Sequence, residues 1–120
     1  MTLFYQGRRI ASESFNLGAI RLFKKQADPL IWEAVEHWVK DNTAGYNSIV
    51  AIGSGGNINK LFRLAKGKKG KPVSCKTLTS IYKLLRQLSI DQRIKQFRLR
   101  PDRADVIVPA SEIYLKIMQW

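Results

Sequence analysis

Leu78, Ile81, Tyr82, Leu85 and Leu88 recur three and four residues apart. That is the period of one face of an α-helix, and it predicts about four turns of helix with a single apolar stripe. Ile31, Ala34, Val35, Trp38 and Val39 repeat the pattern, with Glu33, Glu36 and Lys40 between them. Ile58, Leu61, Phe62 and Ala65 make a third stripe. Helices apolar on one side are stable only when that side is covered, so the chain must fold in layers.

Punctuation places the remaining elements. Leu3-Phe4-Tyr5 and Ile10 to Phe15 predict two strands joined through Gln6-Gly7-Arg8-Arg9. Asn16 to Phe23 suits either a strand or a short helix. Asp28-Pro29 predicts a helix start, with aspartate as N-cap and proline at the first helical position. Asn47 or Ser48 opens a predicted strand that ends at Ile52. Ser89-Ile90-Asp91-Gln92 fits a capping box, in which the Ser and Gln side chains satisfy each other's backbone N–H groups. Arg98-Leu99-Arg100-Pro101 ends the helix that follows. Asp102, with Asp105 three residues on, predicts another N-cap, and the last helix should kink at Pro109 and run to about Met118. The result is an α/β pattern, one domain or part of a larger one, with residues 1–53 as strand pair, helix and strand and residues 54–120 as glycine loop and helices.

Composition narrows the partners. Lys and Arg number 21 against 9 Asp and Glu, a net charge of +12. Such a field favours polyanions: nucleic acid, an anionic membrane surface or polyphosphate. No apolar run approaches the roughly eighteen residues of a membrane span. The start, MTLFYQGRRI, lacks the basic-then-apolar order of a signal peptide. The single cysteine, Cys75, excludes an internal disulfide framework, which points to a reducing cytoplasm.

Few residues carry chemistry. The stretch AIGSGGNINK, from Ala51, runs an apolar segment into Gly53-Ser54-Gly55-Gly56 and then into a helix. A helix N-terminus offers unpaired N–H groups and a positive dipole end, and glycines let an anion approach them. The loop matches neither the P-loop nor the dinucleotide fingerprint. A phosphate site and a tight turn are equally good readings of it. Lys66 to Lys71 (KGKKGK) is read as a solvated loop, since no aromatic residue alternates with its lysines to stack on bases. His37 has no second histidine to partner it, and with a single cysteine no metal set emerges. Cys75 reads as a structural thiol. Asp102 and Asp105 fit a helix cap better than a catalytic pair. Arg100 and Arg103 flank that helix start against the dipole; they face either those aspartates or a phosphate.

Three stretches together resemble the exopolyphosphatase and guanosine-pentaphosphate phosphatase family (Ppx/GppA). LRPDRADVIVPA, residues 99 to 110, resembles its closing signature. AIGSGGNINKL, residues 51 to 61, resembles its second glycine loop, and SFNLGAIRL, residues 14 to 22, its Leu-Gly-Ala-Val-Arg-Leu segment. They occur in the family's order across essentially all 120 residues. The resemblance implies a single partial domain, an α/β fold equivalent to the second half of an actin, Hsp70 and sugar-kinase-like (ribonuclease H-like) fold, helix-rich toward the C-terminus. It implies a cleft for inorganic polyphosphate or guanosine pentaphosphate, with Gly53, Gly55, Gly56, Asn57, Arg103 and Arg21 in phosphate-binding positions. Ser54 departs mildly from the family pattern, and Asp105 and Pro109 match positions read as structural. The family's Gly-Gly-Gly-Ser-Thr-Glu loop would lie just before Met1, and the acidic groups thought to activate water belong to the other half. Mg²⁺ is expected for the intact enzyme and no metal or catalytic residue for this chain, which is expected to be inactive alone. Expected partners are the phosphate ligand, the missing N-terminal half and a homodimer, with no membrane. The alternative reading is a non-catalytic basic module that binds nucleic acid or another polyanion.

Overall fold

The computed structural model describes residues 1–120 as a helix-rich mixed α/β chain. Strands β1 (Thr2–Tyr5) and β2 (Arg8–Ser12) form an antiparallel hairpin. Its loop is only Gln6-Gly7, both at positive φ (48° and 77°), as a two-residue hairpin turn of this twist requires. Leu3 faces Ala11 but Phe4 faces Arg9, so Ile10 bulges out of the ladder. Helices follow: α1 (Ala19–Phe23), α2 (Ile31–Thr43), α3 (Gly56–Leu64), α4 (Cys75–Gln87), α5 (Ile90–Phe97), α6 (Pro101–Ala104) and α7 (Ile107–Gln119).

The core is built on α7. Its buried residues Ile107, Ala110, Ser111 and Leu115 follow helical spacing. Ile107 and Leu115 join Leu61 of α3, Leu78 and Leu85 of α4, Leu99 and Ala104 in one cluster. The opposite side of α7 is also apolar: Ile113 and Ile117 meet Phe15, Leu17, Val35 and Met1 around a cavity of about 140 Å³. A helix covered on two sides reads as apolar nearly all round. The one buried polar side chain, Ser111, donates to Ile107 O at 2.7 Å and leaves nothing unsatisfied.

Side chains close the helix ends. The capping box of α5 forms as the sequence dictates, with Ser89 and Gln92 bonded to each other's backbone N–H. Arg93 donates from Nε to Leu85 O (2.8 Å) and from Nη1 to Ala104 O (2.9 Å), which ties the end of α4 to α6. Burial pushes its pKa below the usual arginine value. Lys60 Nζ donates to Phe97 O at the end of α5, 2.8 Å away.

Four expectations need correction. Residues 48–52 form no strand: the segment is irregular and exposed, and the backbone from Asn47 to Ser54 makes no hydrogen bond within the chain. A strand exists only by pairing, and no neighbour lies in register beside this one. Tyr46 packs on Tyr5 with ring centroids 5.2 Å apart, so the segment sets out near β1 without joining it. Second, α2 starts at Ile31, not Pro29; Asp28 Oδ1 instead accepts from Leu30 N–H (2.9 Å) in the turn ahead. Third, Arg100 is the N-cap of α6 and Pro101 its first residue, so Asp102 lies inside the first turn. Fourth, the break expected at Pro109 falls earlier, at Asp105-Val106 between α6 and α7. Pro109 is the third residue of α7, where its missing N–H would lack a partner anyway.

The molecule is a slab of 43 × 35 × 20 Å with a radius of gyration of 15.0 Å, against about 13.6 Å for a compact domain of this length. Its accessible surface is 8730 Å², where a folded monomer of 13.7 kDa would expose roughly 6,600 Å². Ile49, Val50, Ile52, Phe4 and Ile10 are among the large apolar residues left at least half exposed.

Leu85 and Ile107 are both 0% exposed. Truncating either to Ala should cost about 2–5 kcal/mol, read as a lower urea midpoint at unchanged m. Burial also raises the pKa of Tyr114 above the free phenol value. That contribution to stability is complete below about pH 10 and is lost as pH rises through the higher folded pKa. Tyr114→Phe should therefore flatten the alkaline fall in melting temperature without altering the neutral one.

Candidate functional site

Between α1, α3 and α6 lies an open cleft of about 500 Å³, lined by Gly18, Ala19, Ile20, Arg21, Gly56, Asn57, Asp102, Arg103 and Val106. Four of the six residues singled out from the sequence line it: Arg21, Gly56, Asn57 and Arg103. They come from three segments far apart in the chain. α7 brings them together, since α1, α3 and α6 all pack on it.

The glycines divide the work. Gly55 is the N-cap of α3 at φ 112°, ψ 172°, a conformation open in practice to glycine alone. Gly53 lies against Ile58; a Cβ there would sit 2.6 Å from Ile58 Cγ1. Neither lines the cleft: they shape the turn, and Gly56 and Asn57 form its face. On Gly56 a Cβ would fall 2.0 Å from Arg103 Nη1, so the guanidinium rests directly on the first turn of α3.

That contact places positive charge on positive charge. No side chain caps α3, and the first of its N–H groups to find an acceptor is Asn59, bonded to Gly55 O at 3.1 Å. The N–H groups of Gly56, Asn57 and Ile58 have none. A helix N-terminus carries roughly half a positive charge, and a guanidinium beside it raises the local potential further. The one carboxylate in the cleft, Asp102, pairs with Arg100 Nε at 3.2 Å. Both are largely exposed, so the pair contributes about 0–1 kcal/mol. Arg103 and Arg21 have no carboxylate partner. Of the two arginines flanking the α6 start, Arg100 thus takes the ion pair and Arg103 is left for the cleft. An anion with several oxygens would satisfy the free N–H groups and both guanidinium forks together.

The other candidates lie elsewhere. His37 is exposed on α2, and Cys75 is half-buried against the core. Asp105 Oδ1 is buried without a hydrogen-bond partner just ahead of α7. No three His, Cys, Asp or Glu side chains gather as a metal set. With Asp102 engaged by Arg100, the cleft's donors do not fit a hard divalent cation, which needs several oxygen ligands. Gly18, Ala19, Ile20 and Val106 escaped the sequence reading as cleft residues. Their signal was membership of the SFNLGAIRL and LRPDRADVIVPA stretches that carry Arg21 and Arg103. No protein-family model matches the chain, and no curated protein matches it.

Gly56→Ala meets only the far end of a flexible side chain. It should leave the melting temperature within a few degrees of wild type while displacing Arg103. Gly55→Ala meets backbone strain of about 1–3 kcal/mol and should lower the melting temperature measurably. Thermal melts of the two variants side by side check this contrast.

Proposed function

We propose that the chain is a phosphate-binding lobe of a Ppx/GppA-like phosphoanhydride hydrolase, with the architecture of the second half of an actin, Hsp70 and sugar-kinase-like fold. The observation that carries this reading is the convergence of Arg21, Gly56-Asn57 and Arg103 on one cleft that holds unpaired cationic and N–H donors and one engaged carboxylate. The ligand is inorganic polyphosphate or a guanosine pentaphosphate.

Arg21 and Arg103 bind and orient the phosphate oxygens, and the N–H groups of α3 hold those facing the helix. In hydrolysis by in-line attack of water, such donors favour the transition state because they face the oxygens on which charge spreads. This cleft has no free carboxylate or histidine to take the proton from water. The base, and any Mg²⁺ ligands, therefore come from outside it. The excess surface, the exposed apolar residues and the unpaired 48–52 segment support a lobe that works against a second one.

Calorimetric titration of the purified chain should show binding of tripolyphosphate that weakens roughly 10- to 100-fold in Arg103→Ala, the loss expected for a charge-assisted hydrogen bond. Arg21→Ala should weaken it by a similar factor. Phosphate release from polyphosphate should be absent with the chain alone. Robust turnover, or binding indifferent to Arg103, overturns the reading.

A further inference from the structure

Eighteen consecutive residues, Asn42 to Asn59, carry no charged side chain, and no other uncharged run in the chain exceeds seven. The run holds the segment Ser48-Ile49-Val50-Ala51-Ile52. Its β-branched and small side chains suit a pleated strand. Ile49, Val50 and Ile52 are 50%, 66% and 93% exposed, so core packing engages them little. The backbone N–H and C=O groups from Asn47 to Ser54 find no partner within the chain. Five residues thus have strand composition, free hydrogen-bonding groups and exposed apolar side chains, and lack only a neighbour.

Charge says which neighbour fits. An acidic partner, drawn by the net charge of +12, meets its cations elsewhere, in α3 beyond Asn59, the Lys66–Lys71 loop and α4. Two copies of this chain repel wherever their basic faces meet, and the uncharged run is where they approach without that cost. The hairpin is the competing edge, but it carries Arg8, Arg9 and a bulge at Ile10, features that discourage pairing. The segment is also complementary to itself. Antiparallel pairing about a two-fold axis at Val50 sets Ile49 against Ala51 and Ser48 against Ile52. Ser48, Val50 and Ile52 then share one face, and Ile49 and Ala51 the other. Surface suffices as well. The chain exposes roughly 2,000 Å² beyond a folded monomer of its mass, against about 800 Å² per partner in a specific interface.

We propose that residues 48–52 become a strand by pairing antiparallel with the same residues of a second copy of this chain, in a two-fold contact centred on Val50. The contact is separate from the α1, α3 and α6 cleft and does not rest on the phosphate reading of it. A two-stranded ribbon is marginal in water, so the dimer dissociates on dilution, at roughly micromolar concentration.

Sedimentation of the full chain over about two decades of concentration around micromolar tests this. The mass should rise from monomer to dimer and stop there. Val50→Lys sets two like charges on the axis and should stay monomeric throughout. Its circular-dichroism spectrum should match the wild-type monomer, because the side chain replaced is exposed. Cross-linking reads the register in a Cys75→Ser background. Val50→Cys should form an intermolecular disulfide in glutathione buffer, since the residue on the axis meets its own copy at about 5 Å between Cα atoms. Ile52→Cys should not, because the axis leaves roughly 13 Å between it and its copy. A mixture of Ser48→Cys and Ile52→Cys chains should cross-link to each other. A chain that is monomeric at every concentration overturns the proposal, as does a dimer that survives Val50→Lys. Open-ended aggregation, or an Ile52→Cys chain that cross-links to itself as readily as Val50→Cys, overturns the two-fold pairing.

Discussion

Burial of α7 is the constraint on which the rest depends. Its two apolar sides receive α3 and α4 on one hand and α2 with the Phe15–Leu17 segment on the other. Without it, helices α1 to α6 would share no common surface, and the two-stranded hairpin is too small to supply one. Ile107, fully buried at its first turn, fixes where α6 must end. Arg93 fixes the same point from the other side by bonding Leu85 O and Ala104 O.

This joint sets the geometry of the cleft. Arg103 precedes buried Ala104, so its Cα is held by core packing while its guanidinium reaches across to Gly56. α3 is anchored in the same cluster through Leu61. A cation and a helix N-terminus are thereby held in contact by forces that have nothing to do with their own electrostatics. The core stabilises an arrangement that the charges alone oppose.

A packed core and a widely exposed surface coexist in this chain. Side chains cap α4 and α5 and one apolar cluster fills the core, yet the chain exposes roughly 2,000 Å² more than a folded monomer of its mass would. The excess includes the hairpin and residues 48–52, whose backbone finds no partner inside the chain. Ile49, Val50 and Ile52 are β-formers without a sheet, and no charge stands among them of the kind that protects a natural edge.

Local chemistry was legible in the sequence. Helical stripes located α2, α3 and α4 because one-sided burial imposes its period on the residues. Ser89 and Gln92 marked their box because capping is a contact within four residues. Gln6-Gly7-Arg8-Arg9 marked the hairpin turn, which the structure narrows to Gln6-Gly7 because Arg8 and Arg9 already pair in β2. The glycine loop and Arg103 could be named as candidates, but the sequence left each with two readings. Tertiary structure made the difference wherever the answer lay in another part of the chain. It denied the 48–52 strand, which needs a neighbour that no local pattern can supply. It put Arg100 with Asp102 and left Arg103 free, because the fold placed α3 beneath one arginine and not the other. It also gathered Arg21, Gly56, Asn57 and Arg103 into one cleft. Their separation in the chain hides that proximity, and only the packing of α1, α3 and α6 on α7 creates it.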